Sequence, residues 1–273
     1  MEEKFDPYVA EWVSFVNNPN FNLVEKCLKF AQILEYPDLN IDAYIQKINR
    51  IGMSLKESIN DVKNPTYLIS MLNEHLFDNL GFGGDVEDYY NPKNNFLNEV
   101  IDKKSGLPIT ISILYVEIAK FIGLELKMVG FPGHVLVKYN EEMILDPFND
   151  GRLLDADDLQ EILDVNFGHL EFQPEFLDDI EPEQVLVRMA RNLKNSYVQS
   201  YVYDKALRCV NMVLALETNS PEDIRDKGIL EERLLHSEVA LEYLNKYLEI
   251  NPNAEDVDFI LELIRSIKTK INQ

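Results

Sequence analysis

Residues 103–146 read KKSGLPITISILYVEIAKFIGLELKMVGFPGHVLVKYNEEMILD, and the order of elements in this stretch decides the fold. From 108 to 122 the apolar side chains Ile109, Ile111, Ile113, Leu114, Tyr115, Val116, Ile118, Ala119 and Phe121 point in every direction around a helix. A helix that is apolar nearly all round is a buried one. Pro108 suits its first turn and Gly123 its end. Residues 125–129 then alternate as a strand, and 135–139 and 143–145 are two more, joined by a tight turn at Asn140-Glu141. Symmetric pairing about that turn sets His134 opposite Asp146 within one residue, and cross-strand Cβ atoms lie about 5 Å apart. A carboxylate at that distance fixes the imidazole tautomer and favours the imidazolium. The stretch therefore predicts a base and its orienter, or else a hydrogen-bonded strand-end histidine that fixes the Pro132-Gly133 corner, carried by a small antiparallel sheet beside a buried helix.

Working outward, residues 8–80 read as helical. Apolar residues recur three and four apart from Leu23 to Leu34, Pro37 stops that helix, and Asn40 caps another near 41–50. Pro65 opens a third, over about 65–79, and Gly81-Phe82-Gly83-Gly84 breaks the pattern into a loop reaching about Asn95. After the sheet, Asp155 caps a helix over 155–164. A linker rich in acids and prolines follows, from about Gln173 to Pro182.

Beyond the linker the chain is helical and repeats itself. Tyr203-Asp204-Lys205-Ala206-Leu207 and Ser237-Glu238-Val239-Ala240-Leu241 lie 34 residues apart. Gly228 precedes Ala240 by 12 residues and Pro252 follows it by 12, whereas the first copy has Lys194 in the glycine's place. Small residues at these points let paired helices approach closely. The pattern resembles tetratricopeptide repeats, with a last helix over about 254–271 as the polar-faced cap.

Composition narrows the function classes. The chain has 273 residues, 46% of them hydrophobic, which is enough for about two domains with a sizeable core. Its 26 Lys and Arg face 48 Asp and Glu, for a formal net charge of −22. Such a surface repels polyanions, so direct binding of nucleic acid or of anionic membranes is disfavoured; the charge reads first as solubility and colloidal repulsion, and more sharply as a match for a basic protein or peptide partner. Cys27 and Cys209 stand far apart in apolar helical patterns, as buried thiols do in a reducing compartment. The start, Met1-Glu2-Glu3-Lys4-Phe5-Asp6, lacks a secretory pattern, and no run of about 18 apolar residues occurs. The expected location is the cytoplasm.

The remaining histidines add little chemistry. His75 reads as a core-edge residue, His169 as a loop residue, and His236 as the start of a repeat helix. No His pair has metal-ligand spacing, so neither a metal nor another cofactor is expected. Of the hydroxyls near Pro108, Thr110 and Ser112 sit inside the apolar helix, where they bond back to the preceding turn. Ser105, in a loop, is the least implausible nucleophile among them.

Several motifs agree at once: 81–90 (GFGGDVEDYY), 91–100 (NPKNNFLNEV), Gly106-Leu107-Pro108-Ile109-Thr110, Gly130-Phe131-Pro132-Gly133-His134 and Asp146-Pro147-Phe148. Together they resemble the SirB-type family, a bacterial transglutaminase-like domain followed by tetratricopeptide repeats, and the match runs in order over about 20–270. The resemblance implies an α+β fold. A helical N-terminal region joins a degenerate papain/transglutaminase-like core with a small antiparallel sheet, over 1–172, and an all-α tetratricopeptide-like domain follows over 183–273. It implies that His134 and Asp146 correspond to the catalytic His and Asp, while the nucleophilic Cys falls on Pro108. A proline side chain has no nucleophile and no titratable group.

The expected function is thus a non-catalytic protein-binding or regulatory scaffold, a pseudoenzyme, rather than an enzyme. Its binding residues are Tyr89, Tyr90, Asn94, Asn95, Pro108 and Phe131, with the loop over 81–98 lining a groove beside His134. The alternative is a hydrolase or acyltransferase that uses His134 and Asp146 with water or a hydroxyl. A regulator acting directly on DNA is opposed by the charge.

Overall fold

Asn22 shows why the N-terminal helices start where they do. Its side chain accepts the Glu25 N–H at 3.0 Å, and the Glu25 carboxylate accepts the Asn22 N–H at 2.7 Å, a reciprocal capping box. The computed structural model describes residues 7–59 and 63–271. In it α1 is Pro7–Val16, α2 Leu23–Leu34, α3 Ile41–Ser58 and α4 Pro65–Asn73, capped at Asn40 and Asn64 for the last two. Helix α3 runs well past the expected end near 50, because Gly52 lets it close onto Phe121: a Cβ there would lie 2.3 Å from the ring. A π-helical turn, Glu74–Asn79, extends α4.

Two glycine-rich segments, β1 (Gly83–Gly84) and β2 (Ser105–Gly106), pair in parallel. Between them α5, Leu97–Lys103, forms where the sequence reading left no element; it ends on Lys104 in the left-handed region, φ 62°. The buried helix is α6, Pro108–Ala119, followed by a 3₁₀ turn to Ile122 and Gly123 at φ +71°. Strands β3 (Lys127–Val129), β4 (Leu136–Asn140), β5 (Met143–Asp146) and β6 (Arg152–Leu154) form one antiparallel sheet in sequence order. Helix α7, Ala156–Phe167, has its own capping box between Asp155 and Asp158. Val129, Phe131, Leu136, Ile144, Leu154, Leu159, Leu163 and Leu177 form a continuous core cluster of sheet, α7 and the segment beyond it.

That segment corrects the linker expectation. Leu177 is buried, the Ile180 N–H donates to the Met128 carbonyl at 3.0 Å, and Asp179 bridges to Val129. The Lys138 ammonium donates to the Leu177 carbonyl at 2.7 Å and pairs with Asp179 at 3.2 Å. Acids and prolines mark this stretch as a linker, but its apolar residues and one buried lysine fasten it to the sheet edge.

The remaining helices are α8 (Pro182–Gln199), α9 (Tyr203–Leu214), α10 (Pro221–Arg233), α11 (Ser237–Ile250) and α12 (Val257–Ile271). The chain divides into two compact units, Phe15–Leu186 and a second made of Val187–Gln273 with the start of the chain. Residues 7–14, which the sequence reading assigned to the first domain, belong to the second: the fully buried Trp12 donates its indole N–H to the Met212 carbonyl at 3.0 Å. Within that unit Ala206 and Ala240 are fully buried, and a Cβ on Gly228 would lie 2.8 Å from Leu244. Lys194, at the glycine's place in the first copy, pairs instead with Asp226. Among the described residues no helix is long and apolar enough to cross a membrane.

Candidate functional site

Asp146 ends β5 and is 2% exposed. Its Oδ1 accepts from His134 Nε2 at 2.9 Å and from the Phe148 N–H at 3.1 Å, and its Oδ2 accepts from the Asn149 amide at 2.7 Å. Burial alone pushes this carboxyl up. The hydrogen bond and charge of His134, helped by Asn149 and the Phe148 N–H, outweigh burial and hold it below the usual carboxylate range. An ionised carboxylate only accepts, so the Nε2 that faces it carries a proton. Asp146 thereby sets the tautomer of a base.

The dyad forms by a route that differs from symmetric pairing. Val137 pairs with Leu145 and Lys138 with Ile144, and a bulge interrupts the register between Lys138 and Asn140. This sets Asp146 level with Leu136, two residues from the expected partner, and His134 lies in the bend before β4 rather than on the strand. A two-residue offset keeps the same sheet face, so the imidazole still meets the carboxylate. The bend depends on Gly133, at φ +71° and packed against Asn166.

Phe148 extends the site outward. Its ring meets His134 edge-on at 5.9 Å between centroids and Tyr89 at 6.1 Å; Tyr89 in turn meets Tyr90 at 5.4 Å. Tyr90 is 55% exposed, so a continuous run of rings leads from the surface to the imidazole. Gly84 makes this possible, since a Cβ there would lie 2.5 Å from the Phe148 ring. In the sequence alone, Phe148 and Gly84 stand out only as parts of their motifs. The signal that identifies them is an Asp-Pro-Phe turn downstream of the histidine combined with a glycine pair whose backbone must pass an aromatic ring.

The other expected binding residues are placed differently. Asn94 is 3% exposed and donates to the Asp85 carboxylate at 3.1 Å and the Asp88 carbonyl at 2.8 Å. Asn95 is fully buried, with its amide 3.4 Å from the Pro92 carbonyl. Phe131 is fully buried in the core cluster and packs edge-on against Phe176. These three do not line a solvent-open groove, because short polar side chains here satisfy the loop's own backbone and Phe131 serves the core. Tyr89 and Tyr90 remain at the surface.

Pro108 is buried at the first turn of α6. Behind it the Thr110 hydroxyl accepts the Leu107 N–H at 2.9 Å and donates to the Asn94 carbonyl at 3.0 Å, and a Cβ on Gly106 would crowd it at 2.7 Å. Ser112 is fully buried and its hydroxyl has no hydrogen-bond partner among the described residues. Neither hydroxyl is hydrogen-bonded to His134. Both cysteines are buried, and burial pushes the Cys27 thiol far above its ordinary range, away from the thiolate a nucleophile needs. Among the described residues no group of three or more His, Cys, Asp or Glu is placed to hold a metal ion.

Residues 42–191 match the transglutaminase-like superfamily, and residues 193–265 match a tetratricopeptide repeat family. A UPF0162 protein of Xylella fastidiosa (strain Temecula1 / ATCC 700964) is 33% identical over 233 residues, which is 83% of each chain. A UPF0162 protein of Vibrio cholerae is 27% identical over 202 residues, or 72% of each. F-box only protein 21 of Homo sapiens is 35% identical over 81 residues, covering 30% of this chain and 13% of that one. No solved structure shows a significant match.

Proposed function

Because this chain belongs to the transglutaminase-like superfamily and to the UPF0162 proteins, we propose that it is a non-catalytic, regulatory scaffold of the SirB type. In this reading a pseudo-transglutaminase domain up to residue 172 presents the His134 cleft, and the tetratricopeptide-like repeats over 183–273 dock a protein partner in the cytoplasm. The observation that carries the reading is Pro108. Acyl transfer needs a nucleophile within hydrogen-bond reach of its base. Here the position that opens the buried helix carries a ring with no donor, while Thr110 is spent on capping and Ser112 makes no bond to the imidazole. His134 and Asp146 then act as a recognition pair, with Tyr89 and Tyr90 at the mouth.

A second reading, a hydrolase or acyltransferase that activates water, is favoured by the intact dyad, since a buried carboxylate still orders the ring at 2.9 Å. A panel of peptide-amide and ester substrates, with release of ammonia or alcohol as the readout, separates the two. The scaffold reading expects no turnover above background in either wild type or His134→Ala. Wild-type turnover that His134→Ala abolishes overturns it.

A further inference from the structure

A cleft lies within the Phe15–Leu186 unit, where the β5–β6 hairpin, the start of α7 and the segment following α7 meet. Its volume is about 380 Å³, and its floor is apolar: Ile144, Leu154, Leu159, Phe172 and Leu177. Its mouth carries three carboxylates, Glu141, Glu142 and Asp155, and no lysine, arginine or histidine lines it. Two of the three already have partners. Glu141 pairs with Lys138 at 2.8 Å, and Asp155 caps the Asp158 N–H at 3.0 Å. Glu142 is exposed, with no cation paired to it among the described residues.

An apolar floor under an anionic rim is a mixed demand. The floor is stabilised by covering it with carbon, at about 25 cal/mol per Å² removed from water. The rim opposes a neutral or acidic occupant, because covering the floor would strip water from carboxylates without compensation. Only an occupant that brings cations beside its apolar group meets both. The surroundings act the same way: residues 15–186 hold 13 Lys and Arg against 30 Asp and Glu, so the field over this unit attracts cations.

We propose that this cleft is a docking site for a basic peptide segment, seating one large apolar side chain on the Ile144–Leu159 floor while a flanking lysine or arginine meets Glu142 and Asp155. The site uses neither His134 nor Asp146, and it stands whether or not the dyad is catalytic.

The test is fluorescence anisotropy at about 0.15 M NaCl, where exposed charges more than about 8 Å apart are screened. Three labelled peptides are compared: Lys-Phe-Lys-Leu-Lys, the equally charged control without apolar side chains Lys-Ser-Lys-Ser-Lys, and the charge-inverted Glu-Phe-Glu-Leu-Glu. The first binds the wild type, and the other two bind at least about tenfold more weakly, a difference of roughly 1.4 kcal/mol. Ala156→Trp, at an exposed position lining the cleft, plugs it and weakens the first peptide about tenfold. The pair Glu142→Lys with Asp155→Asn does the same while keeping an N-cap on α7. Melting curves check the fold of each variant, and if the tryptophan variant fails to fold the charge pair carries the test alone. Equal binding of the first two peptides, or binding that survives in a folded plugged or charge-altered variant, overturns the proposal in favour of unspecific attraction to an acidic surface.

Discussion

The Asp146 carboxylate concentrates the residue-scale physics. It is buried, accepts three hydrogen bonds, and is held below the ordinary carboxylate range in the folded state. The unfolded value is about 3.9. A folded value below the unfolded one adds stability that is complete above the unfolded value and is lost as pH falls through the folded one. Urea denaturation between about pH 2 and 7 therefore shows an acid limb for the wild type that is shallower in Asp146→Asn. At pH 7 the substitution costs about 1–3 kcal/mol, because one oxygen of the acceptor set is replaced by a donor. An acid limb of equal steepness in both proteins contradicts the assignment. His134 and Asp146 were legible in the sequence, since hairpin pairing brings them to one face whether the register is symmetric or offset by two. The burial of Asn94, Asn95 and Phe131 was not legible, because polar loop residues look alike whether they serve the loop's backbone or a ligand.

At the scale of elements, two turns stand out. Tyr201 and Leu235 both have left-handed backbones, φ 59° and 65°, and lie 34 residues apart, each in the turn between paired helices, α8–α9 and α10–α11. Their side chains are 78% and 83% exposed, so packing does little to offset the strain. Glycine accepts this conformation without the Cβ clash, which costs other residues about 1–2 kcal/mol, against about 0.5–1 kcal/mol of extra chain entropy for glycine. Tyr201→Gly and Leu235→Gly should each raise stability by about 0.5 kcal/mol, read as a higher midpoint in chemical denaturation; a lower midpoint for both shows that the side chains hold the turns. Each repeat also carries an ion pair donated by an arginine, and the two arginines lie 34 residues apart. Arg191 donates to Asp223 at 2.6 Å, and Arg225 to Asp256 at 3.0 Å. The 34-residue period was visible from small residues alone. The ion pairs were not, because charged residues fill most helix surfaces and only stacking shows which of them meet.

On the scale of the whole molecule, charge is unevenly divided. Residues 15–186 carry 13 basic against 30 acidic side chains, whereas 187–273 carry 12 against 14. Self-repulsion therefore opposes folding chiefly in the transglutaminase-like unit. Raising NaCl from about 0.02 to 0.5 M shortens the screening length several-fold and should raise the thermal midpoint by a few degrees. No change, or a fall, would show that ion pairs such as Lys138–Asp179 outweigh the repulsion.

Sequence by itself determined most of the helices, though not α5 or the length of α3, together with the small sheet, the repeat period, the pairing of His134 with Asp146 and the proline at the head of the buried helix. These follow from local periodicity, capping and hairpin pairing, whose partners lie within a few turns of chain. Tertiary structure alone decided that Phe148 seats against His134 over Gly84, that the acid-rich segment past α7 is stitched to the sheet, and that Trp12 belongs with helices some 200 residues on. Each of those rests on contacts between distant residues, and such contacts are selected by the shape and burial of the assembled core rather than by neighbours along the chain.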